Sequence, residues 1–148
     1  MSSAKALSYE TTLLVRDQCL CLHVQRAARA LGRKFDEAFR PLGLTNGQFS
    51  LLMSLNRPES PPMGPVASLL AMDRTTLTAA LKPLERRGLV RVAMDQNDRR
   101  SRALILTAKG RDLLARATPI WKRTHAEIEH NLSAAKLDEL RASLMAVS

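Results

Sequence analysis

Aromatic residues are scarce: three Phe, one Trp and one Tyr in 148 residues. A core must then be built from Leu, Ala, Val and Met, and there are few rings on which single-stranded bases could stack. Two cysteines do not make a disulfide scaffold. No apolar run reaches the roughly 18 residues that a membrane span needs. The N-terminus lacks a basic segment followed by an apolar one, which reads as no secretion signal. There is no nucleotide-binding glycine motif and no internal repeat, and no cofactor is implied. Acidic side chains are also few, 14 against 23 Lys and Arg, which gives a formal net charge of +9. Apolar residues make up 45%, enough for one core in a chain whose length fits a single domain, 1–148. The excess of positive charge points to a polyanionic partner.

Hydrophobic spacing predicts a mainly α chain with one β-hairpin. Residues 1 to about 15 have weak pattern and read as a loose arm or the start of a helix. From Arg16, the residues Leu20, Val24, Ala27, Leu31, Phe35, Ala38 and Leu42 form one stripe of a long helix, stopped by Pro41 and Gly43. Thr45 caps a second helix with Phe49, Leu52, Met53 and Leu55. A proline-rich loop, Arg57 to Pro65, follows, with Pro65 at the first position of a short helix holding Val66, Leu69 and Leu70. Asp73 caps a further helix whose buried stripe is Leu77, Leu81 and Leu84, and Gly88 ends it. Val90, Val92 and Met94 on one strand and Leu104 and Leu106 on the next face inward, joined through Asp95–Asp98. Thr107 caps a long helix that Pro119 should kink. A last helix from about Ser133 carries Leu137, Leu140, Leu144 and Val147. The expected order is α-α-α-α-β-β-α-α. Two short consecutive helices followed by a basic hairpin is the order of a winged helix-turn-helix.

Chemistry concentrates between Arg74 and Arg102. At about 100° per residue, the helix face opposite Leu77, Leu81 and Leu84 shows Thr75, Ala79, Lys82 and Arg86, flanked by Arg74, Thr76 and Thr78. Hydroxyls and cations suit phosphates and base edges, and Ala79 allows close approach. Arg74 is the best placed for a bidentate guanine contact. The hairpin adds Arg91, Arg99, Arg100 and Arg102. In this stretch eight cations stand against Glu85, Asp95 and Asp98, so more than half of the net charge sits in one fifth of the chain. Arg99 and Arg100 at the hairpin tip suit a minor groove. Asp98 is expected to pair with a neighbouring arginine and stiffen the tip. Pro83 inside the helix removes one backbone hydrogen bond, to Ala79.

Three stretches carry a resemblance: RPLGLTNGQFSLLMSL (Arg40 to Leu55), MDRTTLTAALKPLERRGLV (Met72 to Val90) and DQNDRRSRALILTAKG (Asp95 to Gly110). In this order and spacing the chain resembles the MarR family of winged helix-turn-helix transcriptional regulators over nearly its whole length. The resemblance implies a cytoplasmic, non-enzymatic, homodimeric repressor on a pseudo-palindromic double-stranded operator, with no membrane role. The dimer would be held by about 16–42 and 107–148, and about 44–106 would form the DNA-binding lobe. The apolar surface of the terminal helices agrees, since a lone winged domain cannot cover it. Half-sites are expected about one helical turn apart.

Control has two candidate handles. The resemblance places an effector pocket, for aromatic acids by family analogy, between the dimer helices and the DNA-binding lobe; His23, Phe35, Met53 and Trp121 are its candidate walls, and each is also a plausible core residue. The other handle is Cys21, with Cys19. QCLCLHVQRAAR is similar to the first helix of the organic-hydroperoxide-sensing branch, whose reactive cysteine matches Cys21, eight residues before Arg29. That branch's tyrosines are here Gln25, Phe35 and Asn46, so a buried thiol is expected to lack a stabiliser for its thiolate. The alternative is that both cysteines are small core residues. Cys19 and Cys21 are two apart on a helix, which strains a bond between them. Cys19 and His23 share a face, and with His125 and His130 they are the only zinc candidates; two ligands are not a site, and no metal is expected. A thiol enzyme lacks a third catalytic group and an oxyanion hole. A nucleic-acid protein without sequence choice would show a strong salt slope and no preference.

Overall fold

The structure, a computed structural model, describes residues 6–148. Its helices are α1 (Tyr9–Gln18), α2 (Leu20–Phe39), a 3-10 turn (Arg40–Leu42), α3 (Asn46–Ser54), α4 (Met63–Leu69), α5 (Arg74–Arg86), α6 (Ala108–Glu129) and α7 (Ala134–Ala146). Strands β1 (Val90–Met94) and β2 (Arg102–Leu106) lie between α5 and α6. The strands pair antiparallel with Val90 opposite Leu106 and Met94 opposite Arg102. Leu104 N–H donates to the Pro61 carbonyl at 2.9 Å, which ties the proline-rich loop to the hairpin. This is a winged helix-turn-helix carried between terminal helices.

Of the two readings of the N-terminal segment, the start of a helix is the one found: α1 begins at Tyr9, ahead of Arg16, while residues 1–5 lie outside the described ones. Ser8 accepts from Thr11 N–H, and Glu10 sits in the first turn. These start signals outweigh a weak apolar pattern. The helix breaks at Cys19, whose ψ of 110° is extended, and restarts with His23 N–H bonding the Cys19 carbonyl. The described residues therefore hold seven α-helices rather than six.

Smaller shifts have local causes. Pro65 occupies the third position of α4, not the first, because Pro62 is the N-cap. The third N–H of a helix also lacks an internal partner, so proline fits there. Thr45 caps α3 through a full capping box with Gln48. Helix α6 runs on through Pro119, which leaves the Ala115 carbonyl without its helical donor.

The core is one cluster. Phe39, Leu52, Val66, Leu77, Leu84 and Leu104 are fully buried within it. Leu77, Leu81 and Leu84 face inward as the spacing predicts. Of the long stripe only Phe35 is buried, joined by Phe39, while Leu20, Val24 and Leu31 are exposed. Leu69 is 63% exposed and Met94 56% exposed, unlike Val66 and Val90 on the same elements. Leu69 ends a short helix at the rim of a cleft, and Met94 sits where the strand leaves the core for the wing. Leu51, Ser54 and Ala67 take buried places that the pattern did not mark. Ser54 manages this because its hydroxyl donates to the Leu51 carbonyl at 2.6 Å. No helix among the described residues is long and apolar enough to cross a membrane.

Candidate nucleic-acid interface

Three sharp stops shape the site. At Gly43, Ala71 and Gly88 the backbone turns left-handed, with φ of 61°, 51° and 71°. After each, the next N–H reaches back five residues: Leu44 to Phe39, Met72 to Ala67, Leu89 to Leu84. This is the helix stop that usually takes glycine. Ala71 lies in the turn between α4 and α5, and Gly88 lies between α5 and β1.

Helix α5 begins at the N-cap Asp73, whose carboxylate accepts from Thr76 N–H at 2.7 Å. Hydrogen bonds from Thr76 hold this carboxyl below the usual range, so it is charged at neutral pH. Burying Leu77, Leu81 and Leu84 turns the opposite face to solvent. There Arg74, Thr75, Thr78, Ala79 and Lys82 line one shallow concavity of about 320 Å³. Thr76 and Arg86 are exposed beside it. The Arg74 guanidinium reaches back towards Gly64 of α4. Thr78 Oγ1 donates to the Arg74 carbonyl at 2.8 Å, which leaves its lone pairs outward as acceptors. Pro83 leaves the Ala79 carbonyl without a helical donor on this same face.

The wing tip is built by two aspartates. Asp95 Oδ1 accepts from Asn97 N–H and Asp98 Oδ1 from Arg100 N–H, both at 2.9 Å. Asp98 thus stiffens the turn through the backbone, and the expected arginine side-chain partner is absent among the described ion pairs. A two-residue side-chain-to-backbone turn is local and costs little chain entropy, so it wins over holding a long arginine. Arg99 and Arg100 stay exposed, as do Arg91 and Arg102 on the strands.

Not every cation in the basic stretch is free. Arg87 donates from Nη1 to the Gly43 carbonyl at 2.7 Å and from Nη2 to the Leu42 carbonyl at 3.4 Å. Lys109 Nζ donates to the Arg87 carbonyl, and Arg111 to the Leu106 carbonyl. Net charge along the sequence cannot separate cations that bond backbone carbonyls from those that do not.

A second feature lies between α3, α4 and α6. Phe49, Ser50, Met53, Ser54, Leu69, Thr118, Trp121 and Lys122 line a cleft of about 500 Å³. Of the four predicted wall residues, Met53 and Trp121 meet here. Phe35 does not: it is buried at the far end of a ring stack that runs Phe35, Phe39, Phe49, Trp121, His125 with centroids 4.7–6.5 Å apart. His23 does not either; it sits on α2 in a separate groove with Arg26, Arg29 and Arg33. Ser50, Leu69, Thr118 and Lys122 carried no sequence signal, because they come together only when α3, α4 and α6 pack.

Cys21 is exposed and Cys19 intermediate, which corrects the expectation of a buried thiol. Gln25 Nε2 lies 3.3 Å from Cys21 Sγ, and Arg29 Nη2 lies 3.5 Å from Gln25 Oε1. His23 Nδ1 is bonded to the Cys19 carbonyl. Among the described residues no three His, Cys, Asp or Glu side chains gather as a metal site.

Residues 44–101 match the model of the MarR family. The HTH-type transcriptional regulator TtmR of Methylorubrum extorquens (strain PA1) is 39% identical over 97 residues; the match covers 66% of this chain and 50% of TtmR. The chain thus spans about half the length of that curated relative. The M. tuberculosis transcriptional regulator MosR, solved in complex with DNA, is 39% identical with a TM-score of 0.77, over 86% of this chain and 93% of MosR. The transcriptional repressor CouR, solved bound to a 23-mer DNA duplex, is 29% identical with a TM-score of 0.78, over 97% of this chain and 99% of CouR.

Proposed function

The chain belongs to the MarR family of winged helix-turn-helix transcriptional regulators, and on that premise we propose that it is a sequence-specific, homodimeric DNA-binding repressor, working in the cytoplasm and released by a small ligand. The observation that carries this is the exposed face of α5. Arg74, Thr75, Thr78, Ala79 and Lys82 form one concavity at the N-terminal part of a capped helix, next to a wing that presents Arg99 and Arg100. Helix N-termini and cations fix phosphates, and Arg74 reads a base edge. Thr76, Arg86, Arg99 and Arg100 contribute phosphate or minor-groove contacts. Two of the solved relatives hold DNA.

The dimer is supported by helices that bury nothing within one chain. Neither α1 nor α7 has a buried residue, while Leu14, Leu20, Leu140 and Leu144 are exposed. Short helices gain most of their stability from packing, so these require a partner surface. A second copy supplies it, with about 16–42 (extended by α1) and 107–148 as the dimer region and about 44–106 as the reading lobe.

The cleft between α3, α4 and α6 is the effector site of this reading. Phe49, Met53 and Trp121 suit a flat apolar ring, and Lys122 at its edge suits a carboxylate. An aromatic acid fits that lining. Cysteine oxidation at Cys21 is a second reading, favoured by the Gln25 amide 3.3 Å from its sulfur.

The test is binding to the DNA upstream of the gene against random duplex at one salt concentration. Arg74→Ala is expected to lose about 1–3 kcal/mol on the cognate site and to relax choice at one base pair. Equal losses on random DNA refute base reading by Arg74. Peroxide treatment separates the two switches: release that Cys21→Ser abolishes selects the thiol, and unchanged binding selects the cleft.

A further inference from the structure

Arg87 carries an interaction that the DNA-facing surface does not explain. It follows the last residue of α5 and is half-buried. Its two terminal nitrogens fork onto the carbonyls of Gly43 and Leu42, 44 and 45 residues away. Those carbonyls lie at the end of the 3-10 turn that follows α2, the helix whose exposed apolar face is assigned to the dimer. Lys109 of α6 holds the Arg87 carbonyl from the other side at 2.9 Å. Thr107 holds the next two carbonyls, Gly88 and Leu89. The end of the recognition helix is thus clamped between the 3-10 turn after α2 and the start of α6, while its start is capped by Asp73 and packs on α4.

We propose that Arg87 is a positioning residue that sets the angle of α5 against α2, and so acts on DNA choice without touching DNA. This rests on the DNA-binding reading above. The leverage is geometric. Helix α5 has 13 residues, which at 1.5 Å per residue is about 20 Å. A swing of about 5° around its C-terminal end moves Arg74 and Thr75 by nearly 2 Å, well outside the span of hydrogen-bond lengths. A planar, two-pronged guanidinium resists that swing, whereas a lysine ammonium is a single flexible point.

The experiment uses the full-length protein and an operator selected from random duplex by the wild type. Failure of the wild type to prefer any sequence overturns the DNA-binding reading itself, whatever Arg87 does. Given a preference, Arg87→Met and Arg87→Lys are compared with Arg86→Ala, the neighbouring cation that makes no hydrogen bond or ion pair among the described residues. Arg87→Met is expected to lower the cognate-to-random affinity ratio about tenfold, the worth of one charge-assisted bond, with the loss spread over the half-site and the salt slope unchanged. Arg86→Ala is expected to reduce the slope by about one at an unchanged ratio. Partial unfolding lowers cognate and random binding together and leaves the ratio alone, so it does not imitate the expected result. Where Arg87→Met does not fold, Arg87→Lys decides, with a reduced ratio at wild-type slope supporting the proposal. A wild-type ratio, a slope that falls as for Arg86→Ala, or a loss confined to one base pair overturns it.

Discussion

A methyl group added at Gly110 would overlap the Leu89 carbonyl oxygen and come within 2.8 Å of Leu106 Cδ1. That carbonyl cannot yield, because Thr107 already bonds it through both N–H and Oγ1. Glycine at position 110 is therefore a packing requirement where α6 crosses the start of β1. Gly110→Ala is expected to destabilise the fold by about 1–3 kcal/mol, read as a lowered midpoint in denaturant with unchanged slope. An unchanged midpoint means that α6 can slide away at no penalty. At this same scale, much of the candidate site was legible in the chain: Arg74, Thr75, Thr78, Ala79 and Lys82 follow from one helical period laid over three leucines. Arg87 was not separable from its neighbours, because its carbonyl partners lie more than forty residues upstream.

Helix α5 illustrates how an element inherits a pH dependence from one residue. The Asp73 carboxyl is held below its ordinary value by Thr76 hydrogen bonds. Its capping contribution is present above the unfolded carboxylate value of about 3.9 and fades as pH falls through the lower folded value. The melting temperature of Asp73→Ala is thus expected to lie below wild type at neutral pH, with the gap narrowing in acid. A gap that stays constant from pH 7 to below about 3.9 would show that the charge is irrelevant and only cap geometry matters. The starts of α3, α5, α6 and α7 were readable from Thr45, Asp73, Thr107 and Ser133, each of which accepts from an N–H in its own first turn. The start of α1 stayed one of two readings, although Ser8 makes the same contact. Without a buried stripe to follow, that cap had no periodic signal beside it.

For the whole molecule, the exposed leucines of α1, α2 and α7 are the largest unbalanced feature. In one chain they face water; in the proposed dimer they are the interface. Leu140→Asp combined with Leu144→Asp is expected to convert a dimer into a monomer in sedimentation and to weaken operator binding, since two recognition helices no longer act together. A double variant that stays dimeric places the interface elsewhere. The long stripe from Leu20 to Leu42 was legible as an apolar face, but periodicity does not say which molecule covers it. Only Phe35 of that stripe, with Phe39 beside it, meets the protomer's own core.

The amino-acid sequence alone determined the winged helix-turn-helix order, the inward leucines of α5, the positive wing and the resemblance to the MarR family. All of these rest on local periodicity, local caps and local charge, which need no distant residue. Tertiary structure decided the rest. It drew Met53 and Trp121 into one cleft and left His23 and Phe35 out of it. It left Cys21 exposed on α2. It took Arg87 away from the solvent-facing charge and gave it to the carbonyls of Leu42 and Gly43. Each of these outcomes depends on which distant segment packs alongside, and no short-range pattern encodes that.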